Sequence, residues 1–540
     1  MKETYPQNQE KQGTAASGIA RSAGYVSVAV FCSRILGLIR EQVLAGLFGA
    51  GFSMDAFVVA FRIPNLLRDL FAEGALSSAF VTVFSEYEQK GNREKTLALV
   101  NNVLSVLTVI VSTVVLLGMI FSRELVTLLA PDFALIPGKI QLTQQLTLVM
   151  FPFLLLVSLS ALFMGILNTK GYFFIPSMAS SCFNLSSILI GGGLALALPR
   201  WGLLPIYGMA IGTLLGGLSQ LGIQWPLIKR IGFKIRPRIS LDDPGLRKIG
   251  RLIIPAVIGL SATQINIFIN TNFASRCAEG SVAWLNYAFR LMQFPLGLFG
   301  VALSIATLPV VAKQAAQKEL GELGKTLVSS LSLAFALTLP ASVGLWVLAE
   351  PIVRLIFEHG RFSSYDTFMT AMAVKLYAIG LMAYSGVKII VPVYYALDDT
   401  RWPVIASFVA VAANVIIILL TLDALQHRAI ALSTSMTMIM NMILLALVLY
   451  RKIGGYPIAA LIGSVLKIGI CSVAMGMVAR HLWYFVLQHD LSQGLFALCL
   501  SLFTVIVLCA LFYILLLTLA GIPEVKEVSR AIRKKLKIGD

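Results

Sequence analysis

The sequence predicts an all-α, polytopic membrane protein, and three observations lead to that prediction. The 540 residues have a mean hydropathy of +0.85, 58% of them are hydrophobic and only 13% are charged. The apolar residues are gathered into long runs, most of which reach the roughly 20 residues that a helix needs to cross a bilayer. These runs do not alternate between polar and apolar residues, as the strands of a membrane barrel would.

Fourteen transmembrane helices are predicted, one for each apolar run. Their approximate bounds are 24–47, 54–85, 97–121, 142–168, 174–198, 203–228, 249–276, 281–312, 326–349, 367–398, 402–422, 428–450, 457–480 and 494–520. Lys and Arg are concentrated in the connections that share a side with the N terminus. Because cytoplasmic loops carry this excess, both termini are predicted to be cytoplasmic. Residues 1–22 lack the apolar core of a cleavable signal peptide, so the first helix is expected to direct insertion.

The longest basic connection follows the sixth helix and divides the chain. The predicted parts are a cytoplasmic N-terminal segment 1–23, a first six-helix lobe 24–228, a basic cytoplasmic linker 229–248, a second six-helix lobe 249–450, two further helices in 457–520 and a basic cytoplasmic tail 521–540. Aligning 59–85 with 287–313 pairs Arg62 with Arg290. Since an even number of helices separates these copies, the lobes should be related by a pseudo-two-fold axis along the membrane normal.

The formal net charge of +17 does not indicate a nucleic-acid partner. Most of the surplus lies in connections and in the tail, where it orients the protein and attracts anionic membrane lipids. The six cysteines are scattered and show no disulfide or metal-binding spacing. We therefore expect membrane lipids as partners, no nucleic acid, no metal site and no cofactor.

Charged residues are unusually frequent in the first two predicted helices. They are Arg34, Arg40, Glu41, Asp55, Arg62, Arg68, Asp69 and Glu73. A charge at membrane depth costs roughly 2.5 to 3.5 kcal/mol on insertion scales, so these side chains should face protein or water inside a helix bundle. The sequence therefore predicts an arginine-lined polar cavity within the membrane.

Two interpretations of these charges remain open. On a helix, Asp55, Arg62, Asp69 and Glu73 share one face, so they could pair with one another and hold the lobe together. Alternatively, the arginines bind an anionic substrate. Arg290 favours the second interpretation, because no acid occurs from Leu252 to Cys277. A guanidinium group keeps its proton and makes paired hydrogen bonds to phosphate, so several arginines together could hold a diphosphate.

An enzymatic function is not expected. The sequence contains no GxSxG, HExxH or phosphate-binding glycine loop, and its four histidines are far apart. A membrane glycosyltransferase would need loop acids, and Asp242 with Asp243 is the only tempting pair. Because both lie in the linker, we expect them to be solvated and not catalytic.

Several motifs resemble a known family. The segments SRILGLIRE, FGAGFSMDAF and FRIPNLLRDLFAEGALSSAF, with the run from Ala283 to Val301, resemble the MurJ (MviN) family of lipid II flippases. This family belongs to the superfamily of multidrug, oligosaccharidyl-lipid and polysaccharide exporters. The resemblance covers nearly the whole chain. It implies that lipid II, undecaprenyl diphosphate bearing the peptidoglycan precursor, is moved from the inner to the outer leaflet of the bacterial cytoplasmic membrane by alternating access.

The resemblance also implies which residues bind the substrate. The matching positions are Arg34, Arg40, Arg68 and Arg290, with Asn65, Asp55 and Glu73, and the possible supporting charges are Glu41, Arg62 and Asp69. Some relatives hold sodium in the second lobe through carboxylates. Here the seventh helix has no acid and the eleventh offers Asn414 alone, so sodium coupling is in doubt.

Two further hypotheses complete the sequence-based interpretation. The apolar helices within 457–520 could form a groove for the prenyl tail, which is too long for the predicted cavity. The main alternative function is export of another polyprenyl-diphosphate-linked oligosaccharide. A drug exporter of the same architecture would bind cations and should favour an acidic cavity, which these arginines oppose.

Overall fold

The computed structural model describes residues 29–69 and 75–521, and every regular element within those ranges is helical. The helices, numbered in chain order, are α1 (29–48), α2 (Phe52–Arg68), α3 (Ala75–Gln89), α4 (Arg93–Ile120), α5 (Ser122–Leu129), α6 (Lys139–Met150), α7 (Phe153–Thr169), α8 (Phe174–Ser186), α9 (Gly192–Ala197), α10 (Ile206–Gly222), α11 (Trp225–Arg230), α12 (Pro244–Ser275), α13 (Ser281–Pro295), α14 (Val301–Ala316), α15 (Leu320–Val347), α16 (Ala349–Phe357), α17 (Ser364–Ala396), α18 (Arg401–Leu425), α19 (His427–Lys452), α20 (Ile458–Gln488) and α21 (Leu495–Ala520).

The prediction of a polytopic helical membrane protein is confirmed. In the described part of the chain, twelve helical stretches are long and apolar enough to cross a membrane, beginning with Arg93–Ile120 and ending with Leu495–Ala520. Several combine consecutive helices, such as Ser281–Ala316, in which the π-helical turn Leu296–Gly300 joins α13 to α14. The other two predicted helices correspond to α1 and to α2 with α3. These carry the charged motifs, so they do not count among the twelve.

The charged helices α1 and α2 are separated by a tight turn. The turn lies at Gly49–Gly51, and Gly49 has a φ of 65°, a left-handed conformation that glycine adopts without strain. Pro64 lies inside α2 near its C-terminal end. Because residues 70–74 are outside the described ranges, Glu73 and the connection from α2 to α3 are outside them as well.

The first compact unit ends at Gln264. Close helix packing within it depends on glycine in α10. A β-carbon built on Gly212 would lie 2.4 Å from the Cα of Gly191, and one on Gly208 would lie 2.4 Å from the backbone nitrogen of Ala195. Small residues at such positions let helix backbones approach closely, which is a principal means of association in membranes.

The second compact unit begins at Ile265. One buried apolar cluster of this unit is built mainly by α15, α17, α19, α20 and α21. The Tyr513 hydroxyl donates to the carbonyl oxygen of Ala336 at 2.8 Å, and the Tyr394 hydroxyl donates to that of Leu445 at 2.7 Å. The last two helices are thus an integral part of this unit's core.

Candidate functional site

The charged residues of α1 and α2 form three separate groups in the first unit. One group surrounds Arg40, a second surrounds Arg68 and a third contains Asp55. They differ in exposure and in the partners that hold each charge.

Arg40 is held between a carboxylate and an aromatic ring. Its Nη2 lies 2.9 Å from Oε1 of Glu41, which is buried, and its guanidinium carbon lies 5.3 Å from the centre of the Phe183 ring. Phe183 in turn packs 5.4 Å from Phe153, so α7 and α8 fix the ring on which the arginine rests. Nε of Arg40 is buried and has no hydrogen-bond partner among the described residues. The ion pair therefore leaves one donor of this guanidinium unused.

Arg68 belongs to a chain of three polar side chains. Its Nε and Nη2 donate to Oδ1 of Asp69 at 3.2 and 3.0 Å, and Oδ2 of Asp69 accepts from Nε2 of Gln264 at 3.2 Å. The Arg68 and Asp69 side chains remain 24% and 29% exposed. This group is therefore partly accessible to solvent, unlike a fully buried ion pair.

Asp55 is instead enclosed. Nζ of Lys139 lies 3.0 Å from Oδ2 of Asp55, and the two side chains are only 1% and 2% exposed. The ammonium group also lies 4.3 Å from the centre of the Phe133 ring. A buried pair of this kind joins α2 to α6. Lys139 precedes the predicted helix 142–168, and no local sequence signal indicated its burial.

The remaining predicted residues of the first unit differ in solvent exposure. Arg34 is exposed on α1, whereas Asn65 and Arg62 are half-buried on α2. Glu73 falls outside the described ranges.

The predicted arginine of the second unit, Arg290, is exposed on α13. The neighbouring ring of Phe289 makes edge contacts with Tyr377 at 5.5 Å and Tyr384 at 6.5 Å. Five residues after Arg290, Pro295 leads into the π-helical turn. The aromatic contacts fix the helix on which this guanidinium group is displayed.

An amide cluster, absent from the predicted site, lies inside the second unit. Nδ2 of Asn414 donates to Oδ1 of Asn266 at 2.7 Å and to Oδ1 of Asn270 at 2.8 Å. Nδ2 of Asn270 donates to Oγ1 of Thr434 at 3.1 Å. The only sequence signal was the spacing of Asn266 and Asn270, which places both on one face of an apolar helix.

This cluster does not fit a carboxylate-based sodium site. Its members are neutral, and the Asn266 and Asn270 oxygens already accept hydrogen bonds from Asn414. In the described ranges there is also no group of three or more His, Cys, Asp or Glu residues placed to hold a metal ion. A sodium ion here would have no counter-charge, which makes its burial costly.

Comparison with known proteins identifies the family. A family model described as "Lipid II flippase MurJ" matches residues 44–504. The chain belongs to the MurJ family. Arg68 and Arg290 lie within the matched range, whereas Arg34 and Arg40 precede it. The "Probable lipid II flippase MurJ" of Vibrio cholerae is 36% identical over 439 residues, which cover 80% of this chain and 83% of that protein.

Solved structures agree with this assignment. A structure titled "Lipid II flippase MurJ, inward closed conformation" matches with a TM-score of 0.75 and 28% identity, covering 92% of this chain and 98% of that one. A multidrug resistance MATE family transporter of the MOP superfamily, in an inward-facing conformation, matches with a TM-score of 0.65 and 14% identity. That match covers 78% of this chain and 94% of the transporter, and it shows the shared fold alone. The predicted MurJ membership is confirmed.

Proposed function

We propose that this chain is a lipid II flippase, which moves lipid II from the inner to the outer leaflet of the bacterial cytoplasmic membrane by alternating access. The observation that carries the proposal is the MurJ family match over residues 44–504. No covalent bond is made or broken in this process, so the proposed protein is a transporter and not an enzyme. In this proposal both termini are cytoplasmic.

The diphosphate of the substrate is bound by Arg34, Arg40, Arg68 and Arg290. At an effective dielectric constant near 20, one charge pair at about 5 Å contributes roughly 3 kcal/mol, so several arginines offset much of the desolvation of a diphosphate. Each guanidinium group also offers a planar pair of donors that matches phosphate oxygens. A neutral substrate would gain nothing from this arrangement.

The ion pairs in the first unit keep two of these arginines in place before the substrate binds. Glu41 holds Arg40 and Asp69 holds Arg68, each through a single carboxylate oxygen. A diphosphate carries more charge than a single carboxylate, so it competes with these carboxylates for each guanidinium group. Asn65 completes the polar lining in this proposal, whereas Asp55 acts through its buried contact with Lys139, which fixes the position of α2.

In this proposal, the two predicted six-helix lobes, 24–228 and 249–450, carry out the alternating access. Helices α20 and α21 guide the prenyl tail. Their outward-facing residues are large and apolar, among them Ile470 at 71% exposure and Phe496 at 82%. Such a surface suits contact with lipid chains.

Rescue of bacteria depleted of their own lipid II flippase tests the proposal. The wild-type chain should restore growth, and Arg68→Ala and Arg290→Ala should abolish rescue at normal protein levels. Arg276→Ala is the matched control, because Arg276 is an exposed arginine whose Nη2 donates to Asn272, one helical turn away. No rescue by the well-expressed wild-type chain would contradict the function. Loss of the Arg68→Ala and Arg290→Ala proteins themselves would show that these arginines act in folding.

A further inference from the structure

The connection between α11 and α12 is held against α4 by an unusual set of hydrogen bonds. We call residues 233–241 the linker ribbon. The amide of Asn102 makes two bonds of 2.8 Å to Ser240, accepting from its backbone nitrogen and donating to its carbonyl oxygen. Asn101 bridges the carbonyl oxygen of Lys234 and the backbone nitrogen of Arg236, both at 3.1 Å. Side chains of α4 thus replace the neighbouring strand that an extended segment normally requires.

A further bond completes a regular pattern along the linker ribbon. Oγ of Ser105 accepts from the backbone nitrogen of Arg238 at 2.9 Å. Bonds therefore fall on every second residue, at 234, 236, 238 and 240. This period of two is that of an extended chain, whose successive side chains point to opposite faces.

The side chains of the linker ribbon alternate in chemistry with the same period. Three of the four even positions, Lys234, Arg236 and Arg238, are basic, and three of the five odd positions, Ile235, Ile239 and Leu241, are aliphatic. All six are exposed, the aliphatic ones by 38%, 63% and 68% respectively. An exposed segment with a basic and an aliphatic face is typical of a membrane interface.

The nearby acids are already engaged elsewhere. Asp242 pairs with Arg247, and Glu86 pairs with Lys248. Oδ1 of Asp243 accepts from the backbone nitrogens of Gly245 and Leu246. In the described ranges, no ion pair involves the three basic side chains of the linker ribbon. At roughly 3.3 Å per residue, these side chains form a row of positive charges about 7 Å apart.

The position of the linker ribbon on α4 also suits a lipid headgroup. The last charged residue of α4 is Lys95, and Asn101 to Ser105 lie within the uncharged stretch that runs from 96 to Ile120. Aliphatic side chains at this level can enter the acyl region while the basic ones meet phosphates. A soluble anion would gain no binding energy from the aliphatic face.

We propose that the linker ribbon is a binding surface for anionic phospholipid headgroups, held extended by Asn101, Asn102 and Ser105 of α4. The ligand class is a glycerophospholipid with a net negative charge. This inference is independent of the substrate that the protein transports, because it rests on a different surface.

Phosphatidylglycerol binding to the delipidated, detergent-purified full-length chain tests the proposal. Phosphatidylglycerol should raise the thermal unfolding midpoint more than phosphatidylcholine does, and high salt should reduce the difference. The variant K234Q/R236Q/R238Q should bind phosphatidylglycerol on the order of 100-fold more weakly at low salt, since each basic residue near a lipid surface contributes about fivefold. Asn102→Ala keeps all three charges but loosens the backbone, so it should show a smaller loss.

The matched control is R123Q/R200Q/R276Q, which removes the same charge from exposed arginines outside the linker ribbon. It should bind phosphatidylglycerol as the wild type does. Equal losses in both triple variants would show a general effect of net charge and overturn the proposal, as would unchanged binding by K234Q/R236Q/R238Q. Titration with a prenyl diphosphate tests the other phosphate source, and a defect confined to that ligand would also overturn the proposal. Gel filtration of each variant confirms folding.

Discussion

Two sets of polar side chains inside apolar helices, one in each compact unit, are held by different means. The first unit uses charges, namely the enclosed pair of Lys139 with Asp55 and the partly exposed groups around Arg40 and Arg68. The second unit uses neutral amides, in which Asn414 joins Asn266 and Asn270. Charges attract an ionic substrate over a distance, whereas neutral amides carry no net charge that could do so. The difference shows that binding an anion and holding a helix in place are separate tasks. Neutral amides are sufficient to hold a helix in place.

The largest effect is expected from breaking the buried ion pair of the first unit. Lys139→Met leaves the carboxylate of Asp55 buried without its cation, which costs about 3 to 5 kcal/mol. The thermal unfolding midpoint in detergent should fall sharply. The double variant Lys139→Met/Asp55→Leu should recover part of the loss, because no charge then remains buried. A single variant as stable as the wild type would refute the structural role assigned to this pair.

A smaller effect is expected from the amide cluster of the second unit. Asn414→Ala leaves the oxygens of Asn266 and Asn270 without their donor, and unsatisfied buried polar groups cost about 1 to 3 kcal/mol. Thermal unfolding measured in sodium and in potassium buffers checks both the size of the effect and its cause. The loss should be the same in either buffer. A wild-type midpoint that rises in sodium alone would show that this unit binds the ion.

Helix packing offers a matched pair of variants across the two units. Gly212→Ala brings a β-carbon to 2.4 Å from the backbone of Gly191, whereas Gly386→Ala brings one to 2.5 Å from the flexible end of Met442. Backbone cannot move aside as a methionine can, and overpacking typically costs about 1 to 3 kcal/mol. Gly212→Ala should therefore lower the unfolding midpoint more than Gly386→Ala. The reverse order would show that the second unit is the more tightly packed.

The smallest effect is expected from an ion pair at helix ends in the second unit. Asp399 pairs with Lys452, and this hydrogen bond lowers the pKa of the Asp399 carboxyl. A lowered folded-state pKa stabilises the protein above the ordinary value near 3.9, and the contribution disappears as the pH falls through the lowered value. Asp399→Asn should cost about 0 to 1 kcal/mol at neutral pH and nothing under acid conditions. Unfolding midpoints of both proteins are measured from neutral to acid pH. A destabilisation by Asp399→Asn that persists at acid pH would contradict this account.

The sequence predicted the helical architecture well, because long apolar runs have few other solutions in a bilayer. Predicted runs such as 174–198 and 494–520 lie within a few residues of the observed spans Phe174–Trp201 and Leu495–Ala520. The charged residues that distinguish α1 and α2 from the other helices were equally visible in the sequence. The helices that carry the arginines could thus be predicted.

The partners of those residues could not be predicted, because they depend on contacts between distant segments. Lys139 lies 84 residues from Asp55, and the edge of an apolar run gave no hint that it would be buried. Asn101 and Asn102 lie more than 130 residues from the linker ribbon that they hold. Two adjacent asparagines inside the apolar run 97–121 were a signal in hindsight, but they did not identify the segment that would satisfy them.

Transport of fluorescent lipid II in proteoliposomes is the most direct test of the central claim. A membrane-impermeant reductant destroys fluorophores in the outer leaflet only, so the rate at which protected lipid becomes accessible measures transport. The wild-type chain should accelerate this rate for lipid II, and Arg68→Ala and Arg290→Ala should reduce it to that of protein-free vesicles, while Arg276→Ala should not. Equal rates with and without the wild-type protein, or faster transport of a polyprenyl diphosphate bearing a different oligosaccharide, would contradict the assignment.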